Sequence, residues 1–136
     1  MAPFRVVSTA FAVLIGSSLF SFAVYSADLS GAWATDASAC KNIFVKKKGG
    51  LSIAKTSDVH GSGFIIDRDR IRGKMAVCSI RSRKEDGAIL HLITMCSTDV
   101  ALGPAQFSLR IIGDNEVIRL FPGVPELDTP YYRCTL

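Results

Sequence analysis

Turn-forming residues divide the chain after residue 30 into short segments, and none of these segments shows sustained helical periodicity. Runs rich in β-branched and aromatic residues alternate with glycine, proline, asparagine and aspartate, which is typical of strands joined by tight turns. Hairpins are predicted around residues 67–69, 86–87 and 113–115, and loops at 46–50, 122–125 and 128–130. Asp36 is placed to cap one or two helical turns that end at Ile43.

Seven or eight short strands joined mostly by hairpins predict an antiparallel β-meander. Either a sandwich or a small barrel fits the pattern, and we favour a closed or nearly closed barrel because closure removes exposed strand edges. Between residues 106 and 112 apolar and polar residues alternate, which places Phe107, Leu109 and Ile111 on the core side. Tyr131 and Tyr132 either border an opening of the barrel or fill its core.

The first 26 residues have the organisation of a secretory signal peptide. Arg5 is the only charge before Asp28, and a long apolar stretch separates the two. Val24 and Ser26 fit the small-x-small rule for cleavage, so we predict cutting after Ser26, with Ala27 as the alternative. The chain is therefore predicted to comprise a signal peptide, 1–26, and a single β-barrel domain, 27–136, in the periplasm or secreted.

Four cysteines lie after the predicted leader, an even number in a small exported domain. Such a count predicts two disulfides, because small domains have modest cores and oxidising compartments preserve the bond. A hairpin loop of three residues, with Glu85 opposite Ile89, would place Cys78 directly opposite Cys96. A loop of two residues, with Glu85 opposite Ala88, would leave the cysteines one step out of register, which a bulge could correct.

By elimination, the second predicted disulfide joins Cys40 to Cys134. It would connect the segment after the first strand to the last strand, as closure of a meander requires. The alternative arrangement joins Cys40 to Cys78 and Cys96 to Cys134.

Positive charge is concentrated in one half of the chain. Residues 41–84 contain twelve lysines and arginines and three aspartates, whereas residues 85–136 contain three arginines and seven acidic residues. This asymmetry indicates an anionic partner, either an acidic protein surface or an anionic component of the cell envelope. The predicted partner-binding residues are Lys46, Lys47, Lys48, Arg70, Arg72 and Lys74. Because strands alternate, these residues could equally form a solvated face.

Catalysis, metals and cofactors are not expected from the sequence. His60 and His91 accompany no recognisable nucleophile motif, and no phosphate-binding glycine loop occurs. Asp67 and Asp69 begin a calcium-like spacing that lacks the required glycine and distal glutamate. Nucleic acid is not an expected partner either, because no aromatic residues interleave with the lysines. Stable membrane insertion is not expected after cleavage.

The segment Asp28-Leu29-Ser30-Gly31-Ala32-Trp33, followed by Cys40, resembles the opening of lipocalin-like barrels. Its Leu-x-Gly-x-Trp pattern is similar to that of periplasmic inhibitors of secreted bacterial metalloproteases. The ending Tyr132-Arg133-Cys134 resembles that of periplasmic inhibitors of C-type lysozyme. The resemblance implies a closed barrel with Trp33 packed across one end, and inhibition by a protruding segment. The metalloprotease inhibitors carry an N-terminal trunk, which the residues between the cleavage site and Leu29 do not supply.

Together these observations predict a non-enzymatic exported protein that binds another macromolecule, including as an inhibitor of a secreted or envelope enzyme. The alternative is a carrier that holds a small ligand inside the barrel. Barrels of about eight strands are either filled by side chains or hold one ligand. A cavity would favour the carrier, and a solid core with a prominent loop or patch would favour the macromolecular binder.

Overall fold

A computed structural model describes residues 27–136 together with Pro3, and the predicted signal peptide lies outside the described residues. The elements are β1 (Gly31–Ala34), α1 (Cys40–Ile43), β2 (Phe44–Lys47), β3 (Gly50–Ile53), β4 (Gly63–Asp67), β5 (Arg70–Arg72), β6 (Val77–Asp86), β7 (Ile89–Ser97), β8 (Leu102–Gly113), β9 (Glu116–Leu120) and β10 (Thr129–Arg133). Among these residues no helix is both long and apolar enough to cross a membrane.

Eight of the strands form a closed antiparallel barrel, which confirms the predicted fold class. The strand order around the barrel is β1-β10-β9-β8-β7-β6-β5-β4. Strand β1 closes it by pairing with β4 on one side and β10 on the other. Every other pairing in the barrel joins neighbours in the chain, so the topology is the expected meander.

The remaining two strands form a separate hairpin outside the barrel. The predicted loop at 46–50 is wrong in part, since Lys46 and Lys47 belong to β2 and Gly50 opens β3. The predicted helical segment before this hairpin is present: Asp36 accepts a hydrogen bond from the Ser38 amide at 2.8 Å and begins a short 3-10 turn that leads into α1. This external layer packs its apolar side chains against the outer faces of β1 and β4.

Both predicted disulfides are present, Cys78 with Cys96 and Cys40 with Cys134. The predicted register of the β6–β7 hairpin, which carries the disulfide between Cys78 and Cys96, was wrong. Asp86 pairs with Ile89 across a two-residue turn, and a bulge at Arg81 then brings the cysteines opposite one another. The bulge inserts one unpaired residue and shifts the register by one step, as such irregularities do.

The predicted loop at 128–130 was also wrong in part, because only Asp128 lies outside a strand and Thr129 and Pro130 begin β10. Proline cannot donate a ladder hydrogen bond and is tolerated only where none is required. Strand β10 pairs with β1 only through Tyr132 and Arg133, so Pro130 lies beyond that ladder. A proline in this strand is therefore compatible with barrel closure.

Trp33 belongs to the core of the barrel, with none of its surface exposed. Its indole Nε1 donates to the Leu29 carbonyl at 2.9 Å, and the Arg133 guanidinium lies 4.4 Å from its ring centre. Gly63, opposite Ala34 at the start of β4, has no room for a side chain: a Cβ there would lie 2.7 Å from the Phe44 ring. Close packing of the external layer on the barrel thus depends on this glycine.

The two ends of the barrel differ in their connections. At one end, named the closed end, two-residue turns at 68–69, 87–88 and 114–115 join the strands. The other end, named the open end, carries the four longer connections 54–62, 73–76, 98–101 and 121–128.

Candidate functional site

The six predicted partner-binding residues lie in two groups. Lys46, Lys47 and Lys48 are exposed at the tip of the external hairpin. Among residues 27–136, none of the three lysines takes part in an ion pair. The hairpin tip is therefore a small cationic surface without carboxylate partners in this part of the chain.

The second group consists of Arg70, Arg72 and Lys74, and each of these residues has a nearby aspartate. Arg72 lies 2.8 Å from Asp67 and also donates to the Leu51 carbonyl at 2.9 Å, which fastens the external hairpin to β5. Arg70 lies 4.0 Å from the exposed Asp69. Lys74 pairs with Asp58 at the open end. These contacts give Arg72 and Lys74 structural partners and reduce the charge that the predicted surface offers to another molecule.

The open end contains a cavity of about 520 Å³, which we name the open-end cavity. Its apolar surface comes from side chains of five barrel strands and from the connection between β5 and β6. These apolar residues are Phe64, Ile71, Met75, Ala76, Cys78, Phe107 and Tyr131. Tyr131 is 5% exposed and its ring lies 4.8 Å from that of Phe64, so it both fills the core and lines the cavity. A volume of this size suits a small organic ligand.

Arg119 lines the same cavity and was not among the residues predicted from the sequence. On β9 it has the same strand phase as Val117, which is buried, so its side chain lies on the inner face of the barrel. Its guanidinium lies 4.6 Å from the Phe107 ring centre and 4.7 Å from that of Phe121. The alternation of residues 117–121 could have identified Arg119 from the sequence, because it places this arginine on the same strand face as core residues.

Two further charges line the cavity, Lys74 and Asp58, and they pair with each other. The hydrogen bond from the Lys74 ammonium lowers the pKa of the Asp58 carboxyl below its usual range. The pair is close to neutral as a unit. Arg119 is consequently the one cation lining the open-end cavity without a carboxylate beside it among residues 27–136.

Exposed apolar side chains surround this end of the barrel. They lie on all four longer connections or at the adjoining strand ends, and they form what we name the apolar rim: Val59, Met75, Val77, Val100, Leu102, Val124 and Leu127. Val100 is 95% exposed. Scattered surface apolar residues are ordinary, but concentration at one end is typical of a site that contacts an apolar molecule or surface.

A second cavity of about 540 Å³ lies at the closed end. Among residues 27–136 no aromatic side chain lines it, and charges of both signs do, including Arg83, Glu85 and Asp114. Arg133 also lines it, but its guanidinium donates to the backbone carbonyls of Asp114 and Asp28, each at 2.8 Å. The closed end thus offers mixed charge, and Arg133 is engaged by the fold.

A serine and a histidine meet on the outer wall of the barrel. His91 Nδ1 lies 2.8 Å from Ser108 Oγ, and the Gln106 amide donates to the same hydroxyl at 3.1 Å. Ser108 is only 1% exposed. A nucleophile must reach its substrate, so this buried hydroxyl serves as a hydrogen-bonding partner between β7 and β8.

Within residues 27–136, no group of three or more histidine, cysteine, aspartate or glutamate side chains is placed to hold a metal ion. In comparisons with protein-family models, curated proteins and solved structures, nothing matches this chain. The resemblance to lipocalin-like periplasmic inhibitors therefore stays a prediction. Fold and site define the class as a small disulfide-linked β-barrel with an apolar cavity at one end. The two disulfides fit an oxidising compartment.

Proposed function

We propose that this protein is an exported carrier that holds a small, largely apolar molecule at the open end of its barrel. The observation that carries the proposal is the open-end cavity, a space of about 520 Å³ lined by Phe64, Ile71, Phe107 and Tyr131. Transfer of apolar ligand surface from water to such a lining is favourable by roughly 25 cal/mol per Å². Of the two hypotheses from the sequence, the carrier is the one that a cavity favours.

The apolar rim supports the same proposal. A ligand that leaves water for the cavity must pass the open end, and apolar side chains such as Met75 and Val77 reduce the cost of that passage. Within residues 27–136 no comparable group surrounds the closed end, where Ile112 is the exposed large apolar residue nearest the 114–115 turn. The direction of entry is thus from the side of the four longer loops.

Titration with N-phenylnaphthylamine, a neutral fluorophore that brightens in apolar surroundings, tests the carrier proposal. Ala76 lines the open-end cavity and Ala88 lines the closed-end cavity, so each can be replaced by tryptophan as a matched pair. We expect saturable binding of about one probe per protein, loss of binding in A76W and unchanged binding in A88W. Absence of saturable binding, or an equal loss in both folded variants, would contradict the carrier proposal.

The second candidate function is binding of an acidic macromolecule by the external hairpin. It is favoured by the exposure of Lys46, Lys47 and Lys48 and by their lack of ion-pair partners in the part of the chain that is described. Replacing all three by glutamate should weaken capture of an acidic periplasmic partner, most clearly at low salt, because screening is then weakest. Lys41, exposed on α1, supplies the control variant K41E. Equal capture by the triple variant at low salt would remove this candidate.

A further inference from the structure

The position of Arg119 specifies more than an apolar ligand. Arginine is a costly residue on the inner face of a barrel, because a guanidinium loses hydration there unless other groups replace it. Arg119 pairs with Leu109, which is 2% exposed, on one side and with Thr129 on the other. The sheet therefore holds the charged side chain at the wall of the open-end cavity.

The rings of Phe107 and Phe121 supply part of what the guanidinium loses in water. Both lie within the range of a cation–π interaction, which stabilises the charge but uses the flat face of the group. The five N–H donors of a guanidinium lie in its plane and need acceptors. Among residues 27–136, no hydrogen bond places an acceptor on Arg119, whereas Arg133 donates to the carbonyls of Asp114, Ser30 and Asp28.

We infer that the open-end cavity takes an amphipathic monoanion, with its apolar body on Phe64, Ile71 and Tyr131 and its acidic group against Arg119. The inference rests on the carrier proposal. In the described part of the chain, three charged residues line the cavity, Asp58, Lys74 and Arg119, and their formal sum is one positive charge. A planar guanidinium can bind a carboxylate through two parallel hydrogen bonds, which a neutral head group cannot match.

Calorimetric titration with decanoate, decanol and decylammonium tests the inference. These probes share one apolar chain and differ in head group. The protein is produced from the full chain and used in the form that the cell yields. We expect decanoate to bind about ten- to a hundredfold more tightly than decanol, the range for a hydrogen-bonded charge, and decylammonium to bind more weakly than both.

Variants locate that preference at one residue. R119Q should bind decanoate and decanol with similar affinity. R119K, which retains charge but not the planar fork, should keep only part of the preference. Arg110, exposed on the outer face of β8, provides the control R110Q, which should behave as wild type. Near-ultraviolet circular dichroism would check that each variant is folded.

The outcomes separate this inference from the carrier proposal. Equal affinity for decanoate and decanol in the wild type would overturn the monoanion inference and leave the carrier proposal standing. Retention of the full preference in folded R119Q would also overturn it. If neither decanoate nor decanol binds, and N-phenylnaphthylamine does not bind either, both proposals fall together.

Discussion

The closed end and the open end of the barrel each place an arginine against aromatic rings, yet the two arginines have different surroundings. Arg133 lies over Trp33 and donates to three backbone carbonyls, which join β10 to the N-terminal segment and to the 114–115 turn. Arg119 lies against Phe107 and Phe121 without a hydrogen-bond acceptor among residues 27–136. An arginine with filled donors completes a fold, whereas one with free donors beside a cavity is available to a ligand.

Removal of each disulfide should produce the largest difference between the ends. The bond between Cys40 and Cys134 spans 94 residues and ties the external layer to the closed end, whereas that between Cys78 and Cys96 spans 18 beside the open-end cavity. In the chain-entropy model, loops of these lengths stabilise by about 4.7 and about 3 kcal/mol. Urea denaturation of C40S/C134S and C78S/C96S would measure both. A larger loss in C78S/C96S would contradict this ranking.

Replacement of the two arginines by glutamine compares their roles directly. R133Q should lower the free energy of unfolding by about 2 kcal/mol, because several charge-assisted hydrogen bonds and a cation–π contact are lost at a partly exposed site. R119Q loses only contacts with aromatic rings and should cost about 1 kcal/mol or less. The measurement is the urea midpoint of each variant against wild type. Equal destabilisation would mean that Arg119 is part of the fold, and the ligand proposal would lose its premise.

Local patterns in the sequence predicted the barrel better than they predicted the site. Turn spacing and cysteine count were sufficient for the meander and both disulfides, because each depends on neighbouring hairpins or on elimination. The prediction of the strand register near Asp86 was wrong, since the bulge at Arg81 leaves no clear signature in the residue pattern. The sequence analysis also missed the β2–β3 hairpin, because consecutive lysines are typical of a loop. In this fold they belong to a strand that lies on the surface.

The open-end cavity could not be predicted because its residues meet only when the barrel closes. Phe107 and Arg119 lie on the consecutive strands β8 and β9, but Phe64 and Ile71 come from β4 and β5, far from them in the chain. Lys74 was selected from the sequence as part of a basic surface, yet in the fold it pairs with Asp58, sixteen residues earlier in the chain. Net charge over a segment does not record such pairings, so it overstated the cationic surface. The sequence does show that Arg119 and Val117 lie on the same face of a strand. It does not show that the rings of Phe107 and Phe121 lie beside the guanidinium.

The smallest expected difference between the ends is in pH dependence. The pKa of Asp58 at the open end is lowered chiefly by its hydrogen bond from Lys74, and that of Asp28 at the closed end chiefly by hydrogen bonds from Ser30. A carboxyl whose folded pKa lies below its unfolded value stabilises the protein at pH above the unfolded value, near 3.8. That contribution is lost as the pH falls from there through the folded pKa.

The substitutions D58N and D28N should therefore each reduce the loss of stability on acidification below pH 3.8, by a small amount because both side chains are exposed. Salt distinguishes the two carboxyls. Lys74 is a full opposite charge that ions can screen, whereas the Ser30 amide and hydroxyl are neutral donors. Raising the salt concentration should shrink the D58N effect more than the D28N effect in urea midpoints measured from pH 5 to pH 2. An equal salt response would show that the Lys74 charge contributes little to the stabilisation of the Asp58 carboxylate.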